Sequence, residues 1–173
     1  LEGHPDNVAA AFYGGATLAW SESKTSSVGE TKNIGRAVSL RVDDRIKALL
    51  LVPNNQLATA KARKLLPEII PHQDAVLNSS RTALLVHALA ERPDLLFIAT
   101  EDLLHQKYRA QAMPKTIALV EKLRGAGLAA VVSGAGPSLM VLYSGAEDEI
   151  DQLESVAPGF TAMKLAIAKT GAQ

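Results

Sequence analysis

His4, Asp6 and Asn7 crowd around Pro5 in the opening stretch Leu1-Glu2-Gly3-His4-Pro5-Asp6-Asn7-Val8-Ala9-Ala10-Ala11-Phe12-Tyr13-Gly14-Gly15. Proline lacks an N–H where a first helical residue would leave one unpaired anyway, and Gly14 stands where a short helix would stop. The spacing predicts a helix from Pro5 to Tyr13. N–H groups left open at such a start favour anions such as phosphate. Three polar side chains in that same turn make it a candidate reaction site, although Asp and Asn are also ordinary capping residues there.

A second candidate is Ser133-Gly134-Ala135-Gly136-Pro137-Ser138, a run of small residues between the apolar stretches Leu128 to Val132 and Leu139 to Tyr143. Without a Cβ at Gly134 and Gly136, backbone N–H groups can come close to whatever sits over the turn. Neither the P-loop nor the dinucleotide fingerprint fits, since no helix follows. Thr59 and Arg63, four apart, share a face if their helix has begun by Thr59; Thr59 is otherwise its cap. Arg109 lies shortly before Pro114, which can open a helix.

The elements that must position these residues follow from apolar periodicity. Ala16 to Trp20 and Ala37 to Val42 read as strands that can pair, and Ser21 to Arg36 reads as a mobile, polar connection. Ile46 to Val52 has the look of a buried central strand, stopped by Pro53-Asn54-Asn55. A helix over Leu57 to Leu66 ends at Pro67 and Pro71. Asp74 to Leu89 carries Val76, Leu77, Leu84, Leu85 and Leu89 at helical spacing, and Leu95 to Glu101 continues the helical layer. Pro114 to Arg124 is amphipathic and ends at Gly125-Ala126-Gly127. Two strands, Leu128 to Val132 and Leu139 to Tyr143, precede a helix over Asp148 to Val156. A strand over Phe160 to Lys169 finishes the chain. From Ile46 onward the order is that of an α+β, ferredoxin-like split βαβ sheet with extra helices in its first crossover.

Composition narrows the function. The 173 residues are 47% hydrophobic, enough for a real core. With 18 basic and 18 acidic residues the formal charge is zero, which offers no footprint for nucleic acid or an anionic membrane. There is no cysteine, and the four histidines lack metal-ligand spacing, so no metal ligand is assigned. The apolar runs fall far short of the ~20 residues of a bilayer span, and the cytoplasm is the expected compartment.

The string Glu2-Gly3-His4-Pro5-Asp6-Asn7 with its alanine-rich helix resembles the one that follows the nucleotide-binding half of homoserine kinases, in the GHMP small-molecule kinase superfamily. The Ser133 to Ser138 loop resembles that superfamily's third motif. The resemblance runs from Glu2 through the last strand and is closest to the actinobacterial type. It implies transfer of the ATP γ-phosphate, with Mg2+, to the side-chain hydroxyl of L-homoserine in threonine biosynthesis. By the same resemblance His4, Asn7, Arg63 and Arg109 bind substrate, and Asn7, Thr59 and Asp6 are the catalytic candidates. Ser133, Gly134, Ala135, Gly136 and Ser138 then lie beside the phosphate. These residues should converge on one cleft.

The residue types suit those roles. An amino acid presents a carboxylate, and Arg63 and Arg109 can grip it with bidentate hydrogen bonds. Phosphoryl transfer needs positioning and charge stabilisation more than covalent help. Asn7 can orient the attacking hydroxyl, and Thr59 can hydrogen-bond that hydroxyl or a phosphate oxygen. Asp6 matches the register of the aspartate that mevalonate kinases use as a base. A helix N-terminus makes a carboxylate a weaker base, however, which favours a capping role.

The superfamily's glycine- and serine-rich ATP loop, Pro-x-x-x-Gly-Leu-Gly-Ser-Ser, does not occur in these 173 residues. The chain therefore reads as the C-terminal portion of such a kinase. Residues 1–45 would be the end of the N-terminal lobe, with a helix and hairpin, and 46–173 the C-terminal domain. ATP and Mg2+ would be held mainly by the missing N-terminal lobe, which becomes a partner alongside L-homoserine and, in one reading, a second copy in a homodimer. Alternatives are another superfamily kinase, such as one acting on mevalonate, or a ferredoxin-like amino-acid-binding regulatory module.

Overall fold

The computed structural model describes residues 5–25, 29–54, 62, 64–145, 150, 151, 153 and 157–172. They form two compact units: Leu1–Val42 with Ile167–Gln173, and Asp43–Ala166.

In the first unit, helix α1 (Pro5–Tyr13) is followed by the antiparallel hairpin of β1 (Ala16–Thr25) and β2 (Thr31–Leu40). Gly14 is buried at φ 76°, and a Cβ there would lie 2.4 Å from the carbonyl carbon of Thr170. Only glycine admits the returning tail so closely. That tail is held where the Ala172 N–H donates to the Ala11 carbonyl at 2.9 Å.

The hairpin corrects the expectation of a loose connection over Ser21 to Arg36. The ladder continues from Ala16↔Leu40 to Thr25↔Thr31. Polar cross-strand pairs carry its outer half: the Ser23 hydroxyl donates to Asn33 at 2.8 Å, Thr25 and Thr31 meet at 3.1 Å, and Arg36 pairs with Glu22 at 3.3 Å. Such pairs stabilise a ribbon that is wet on both faces, which an apolar alternation rule cannot register.

The second unit is built on a four-stranded antiparallel sheet. Its strands are β3 (Ile46–Pro53), β4 (Ala129–Val132), β5 (Leu139–Ser144) and β6 (Phe160–Ala166), in the order β4-β5-β3-β6. This is the ferredoxin-like order expected from the apolar runs. β3 lies between β5 and β6, antiparallel to both. Period-two alternation aims Leu49, Leu51, Ala130, Val132, Leu139 and Val141 at one face. There they meet Met113, Leu119, Val120, Leu123, Ile150 and Leu153 in a single buried cluster. The last strand is shorter than expected: it ends at Ala166, because residues from Ile167 on belong to the first unit.

The crossover from β3 to β4 is helical. α2 (His72–Ala90) leads through a 3₁₀ turn at Pro93–Leu95 into the short helices α3 (Leu96–Ala99) and α4 (Gln106–Arg109). A second 3₁₀ turn, Ala110–Ala112, then opens into α5 (Pro114–Gly125). Of the helix expected over Asp148 to Val156, the described residues Ile150, Asp151 and Leu153 are helical. The helix expected over Leu57 to Leu66 lies largely outside the described residues, of which Ala62 is helical.

Arg124 ties these pieces to the sheet. Its guanidinium donates to the Phe97 carbonyl at 2.6 Å, and to the Ala130 carbonyl and Thr100 hydroxyl at 3.1 Å each. It also stacks 4.5 Å from the Phe97 ring. Burial lowers its pKa, and nearby Glu101 opposes that shift. No described helix is long and apolar enough to cross a membrane.

Candidate functional site

Arg109 ends α4 and is 8% exposed. Its Nη1 donates to the carbonyl of Gly134 at 3.2 Å, joining two of the expected site features, Arg109 and the Ser133 to Ser138 loop, across 25 positions of sequence. Its Nε is buried with no hydrogen-bond partner. A buried N–H of a charged group left unpaired costs about 1–3 kcal/mol or more, so the site favours an acceptor on that edge of the guanidinium.

Arg109 also lines a pocket of about 200 Å³, together with Asp102, His105, Gln106, Met113, Val131, Val132 and Gly134. That volume is below the ~300–1,000 Å³ of drug-sized ligand sites and suits a small metabolite.

Asp102 builds the short helix on which Arg109 sits. Its carboxylate accepts from the N–H groups of Leu104 at 3.0 Å, His105 at 3.1 Å and Gln106 at 2.7 Å, satisfying the open start of α4. The same carboxylate meets His105 Nδ1 at 3.0 Å. From α2, the Asn78 side chain accepts the Leu103 N–H at 3.0 Å. Lys107 donates to Asp74, and that hydrogen bond raises the pKa of Lys107. Gln106 then reaches β4, where its Oε1 accepts the Val132 N–H at 2.7 Å.

The loop is folded on itself and anchored from α5. Within it, the Ser133 N–H donates to the Ser138 carbonyl at 2.8 Å, and the Gly136 N–H to the Ser133 carbonyl at 3.0 Å. Thr116, 2% exposed, donates its hydroxyl to the Pro137 carbonyl at 2.7 Å. The Gly136–Pro137 peptide is cis. At Gly136 φ is 83° and a Cβ would sit 2.5 Å from Met113 Sδ, so glycine is required both by conformation and by the neighbour.

Of the other expected residues, Asp6 lies exposed in the first turn of α1, and the backbone of Asn7 follows it. His4, Thr59, Arg63 and the side chain of Asn7 lie outside the described residues. Asp102, His105, Gln106 and Thr116 were not anticipated. An aspartate two to four positions ahead of polar N–H groups is a readable capping signal for the first. Gln106 and Thr116 act across 26 and 21 positions and leave no local trace.

Residues 80–158 match the family model described as GHMP kinases C terminal. The chain is 47% identical over 173 residues to a homoserine kinase of Streptomyces coelicolor, covering 99% of this chain and 52% of that protein. It is likewise 47% identical to a homoserine kinase of Clavibacter michiganensis subsp. michiganensis, with 99% and 52% covered. The chain thus spans about half the length of these relatives. Among solved structures, a homoserine kinase from Cytophaga hutchinsonii superimposes with a TM-score of 0.74 at 23% identity, over 98% of this chain and 54% of that one. A mevalonate kinase from L. major superimposes with a TM-score of 0.51 at 14% identity, over 88% and 50%. Both share the fold. With the strand order β4-β5-β3-β6 and these similarities, the chain carries a GHMP kinase C-terminal domain at residues 80–158.

Proposed function

We propose that this chain is the substrate-side portion of a homoserine kinase, which transfers the γ-phosphoryl group of ATP to the side-chain hydroxyl of L-homoserine. The observation that carries the reading is 47% identity over 99% of the chain with a protein named homoserine kinase. The buried guanidinium of Arg109, which lines a small pocket, supplies the chemistry an amino-acid carboxylate needs.

In this reading Arg109 and Arg63 hold the carboxylate, and His4 and Asn7 contact the substrate. Asn7 orients the hydroxyl, while Thr59 hydrogen-bonds the hydroxyl or a phosphate oxygen. The hydroxyl oxygen bonds to the γ-phosphorus as the bond from that phosphorus to the β–γ bridging oxygen breaks. ADP leaves, and the hydroxyl proton passes to solvent. Ser133, Gly134, Ala135, Gly136 and Ser138 line the phosphate side, and Asp6 serves as a cap. Kinases of this family use ATP. It arrives here as the magnesium complex, held mainly by a glycine-rich lobe outside these 173 residues, in the cytoplasm. Among the described residues no three His, Asp or Glu side chains cluster, and no ligand to magnesium is assigned to this chain.

The test is to incubate the full-length protein with MgATP and L-homoserine and follow O-phosphohomoserine by ³¹P NMR. Its appearance at the expense of ATP is the expected result; consumption of mevalonate in preference to homoserine would overturn the reading.

A further inference from the structure

The Ser133 to Ser138 loop owes much of its placement to side chains outside it. Its two internal hydrogen bonds use the N–H groups of Ser133 and Gly136, while those of Gly134 and Ala135 have no acceptor among the described residues. Pro137 has no N–H to give. The remaining contacts come from the segment between residues 106 and 116. Gln106 Oε1 accepts the Val132 N–H at 2.7 Å, immediately ahead of the loop. Near the loop's other end, the Thr116 hydroxyl donates to the Pro137 carbonyl at 2.7 Å. Met113, 4% exposed, packs so closely on Gly136 that a Cβ there would come within 2.5 Å of its Sδ.

Thr116 is built to hold rather than to react. At 2% exposure its side chain is closed off from solvent. It stands in the first turn of α5, where the Ile117 N–H donates to the Met113 carbonyl at 3.1 Å. The branched Cβ leaves threonine few rotamers in a helix, so the start of α5 sets the direction of the hydroxyl. A 2.7 Å O–H···O distance is at the centre of the usual range. Gln106 and Thr116 thus grip the two ends of a loop that keeps two backbone donors free.

We propose that Thr116 and Gln106 are positioning residues, holding the glycine loop, before any substrate arrives, in the conformation that phosphoryl transfer uses. This rests on the reading of the loop as the phosphate side of a homoserine kinase site. Donors fixed in advance cost no reorganisation at the moment of reaction, and a misplacement of about 1 Å can cost roughly a hundredfold in rate.

The test uses the full-length protein. Thr116→Val keeps the shape and removes the hydroxyl, Thr116→Ser keeps the hydroxyl and removes the methyl, and Gln106→Met removes the acceptor at the other end. Amide hydrogen exchange is measured at Ser133 and Gly136 without substrate, and O-phosphohomoserine is followed with MgATP and L-homoserine. Thr116→Val and Gln106→Met are expected to speed that exchange about fivefold or more, as for loss of one buried hydrogen bond. Both should lower kcat roughly tenfold or more while KM for L-homoserine stays within about threefold. Thr116→Ser should stay within about threefold of the unaltered protein in both readouts, whereas a packing role alone would make serine the worse of the two Thr116 variants. Valine or methionine that leaves either exchange or kcat unchanged would overturn the assignment for its residue, and so would a serine variant no better than valine. Failure of the unaltered protein to phosphorylate L-homoserine would instead overturn the substrate reading, and the exchange rates would still decide whether the two side chains hold the loop.

Discussion

Arg109 is the residue on which the proposed chemistry turns, and its surroundings make the claim measurable. One donor is fixed to Gly134, while Nε has no acceptor in its buried position. In the full-length enzyme Arg109→Ala is expected to raise KM for homoserine far more than KM for ATP, and Arg63→Ala should behave in the same way. Equal effects on both substrates would mark the arginine as structural. Gly136→Ala tests the loop: a Cβ at φ 83°, 2.5 Å from Met113 Sδ, should cost about 1–3 kcal/mol. Urea unfolding with an unchanged midpoint would contradict this. Arg109 was legible as a type in a pattern, but its burial was not, because that depends on a loop 25 positions away.

At the scale of elements, α4 is four residues long and exists through its cap. Asp102→Ala removes the acceptor of three backbone N–H groups and should destabilise the unit by about 0.5–2 kcal/mol. It should also speed amide exchange at Leu104, His105 and Gln106 above all; uniform exchange across the unit would refute the local role. β3 presents the opposite case. Leu49 is fully buried, and Leu49→Ala should cost about 2–5 kcal/mol, read as a lower denaturation midpoint. These two elements also show why sequence patterns reveal some structure and hide the rest. β3, β4 and β5 are short apolar runs bounded by proline or glycine, so length and hydrophobicity announce them. The stretch from Pro93 to Ala112 is broken into turns and single-turn helices, the start of one held by the Asp102 carboxylate. No period survives over such lengths. The outer hairpin was missed for a related reason: its ladder is held by Ser, Thr, Asn and Arg rather than by a buried face.

For the molecule as a whole, the absence of the glycine- and serine-rich loop from these 173 residues carries a prediction. Purified by themselves, they should give no detectable O-phosphohomoserine from MgATP and L-homoserine, since oriented phosphate binding supplies both positioning and charge stabilisation. Turnover should appear only when a lobe carrying that loop is supplied. Robust turnover by the 173 residues alone would mean that they hold a nucleotide site of another kind.

The pairing of β3 with β6 has a consequence for how the chain can be cut and rejoined. The polypeptide passes into the second unit just before β3 and leaves it after β6, and Lys47 stands opposite Ala166 in that ladder. Lys47 and Ala166 are therefore neighbours on adjacent strands of the second unit, about 5 Å apart. In sequence, the second unit interrupts the first. Residues 43–166 are expected to fold as an autonomous module when expressed separately. A short flexible linker joining Val42 directly to Ile167 should leave the host segment able to pair its tail with α1, as the Ala172 to Ala11 hydrogen bond does now.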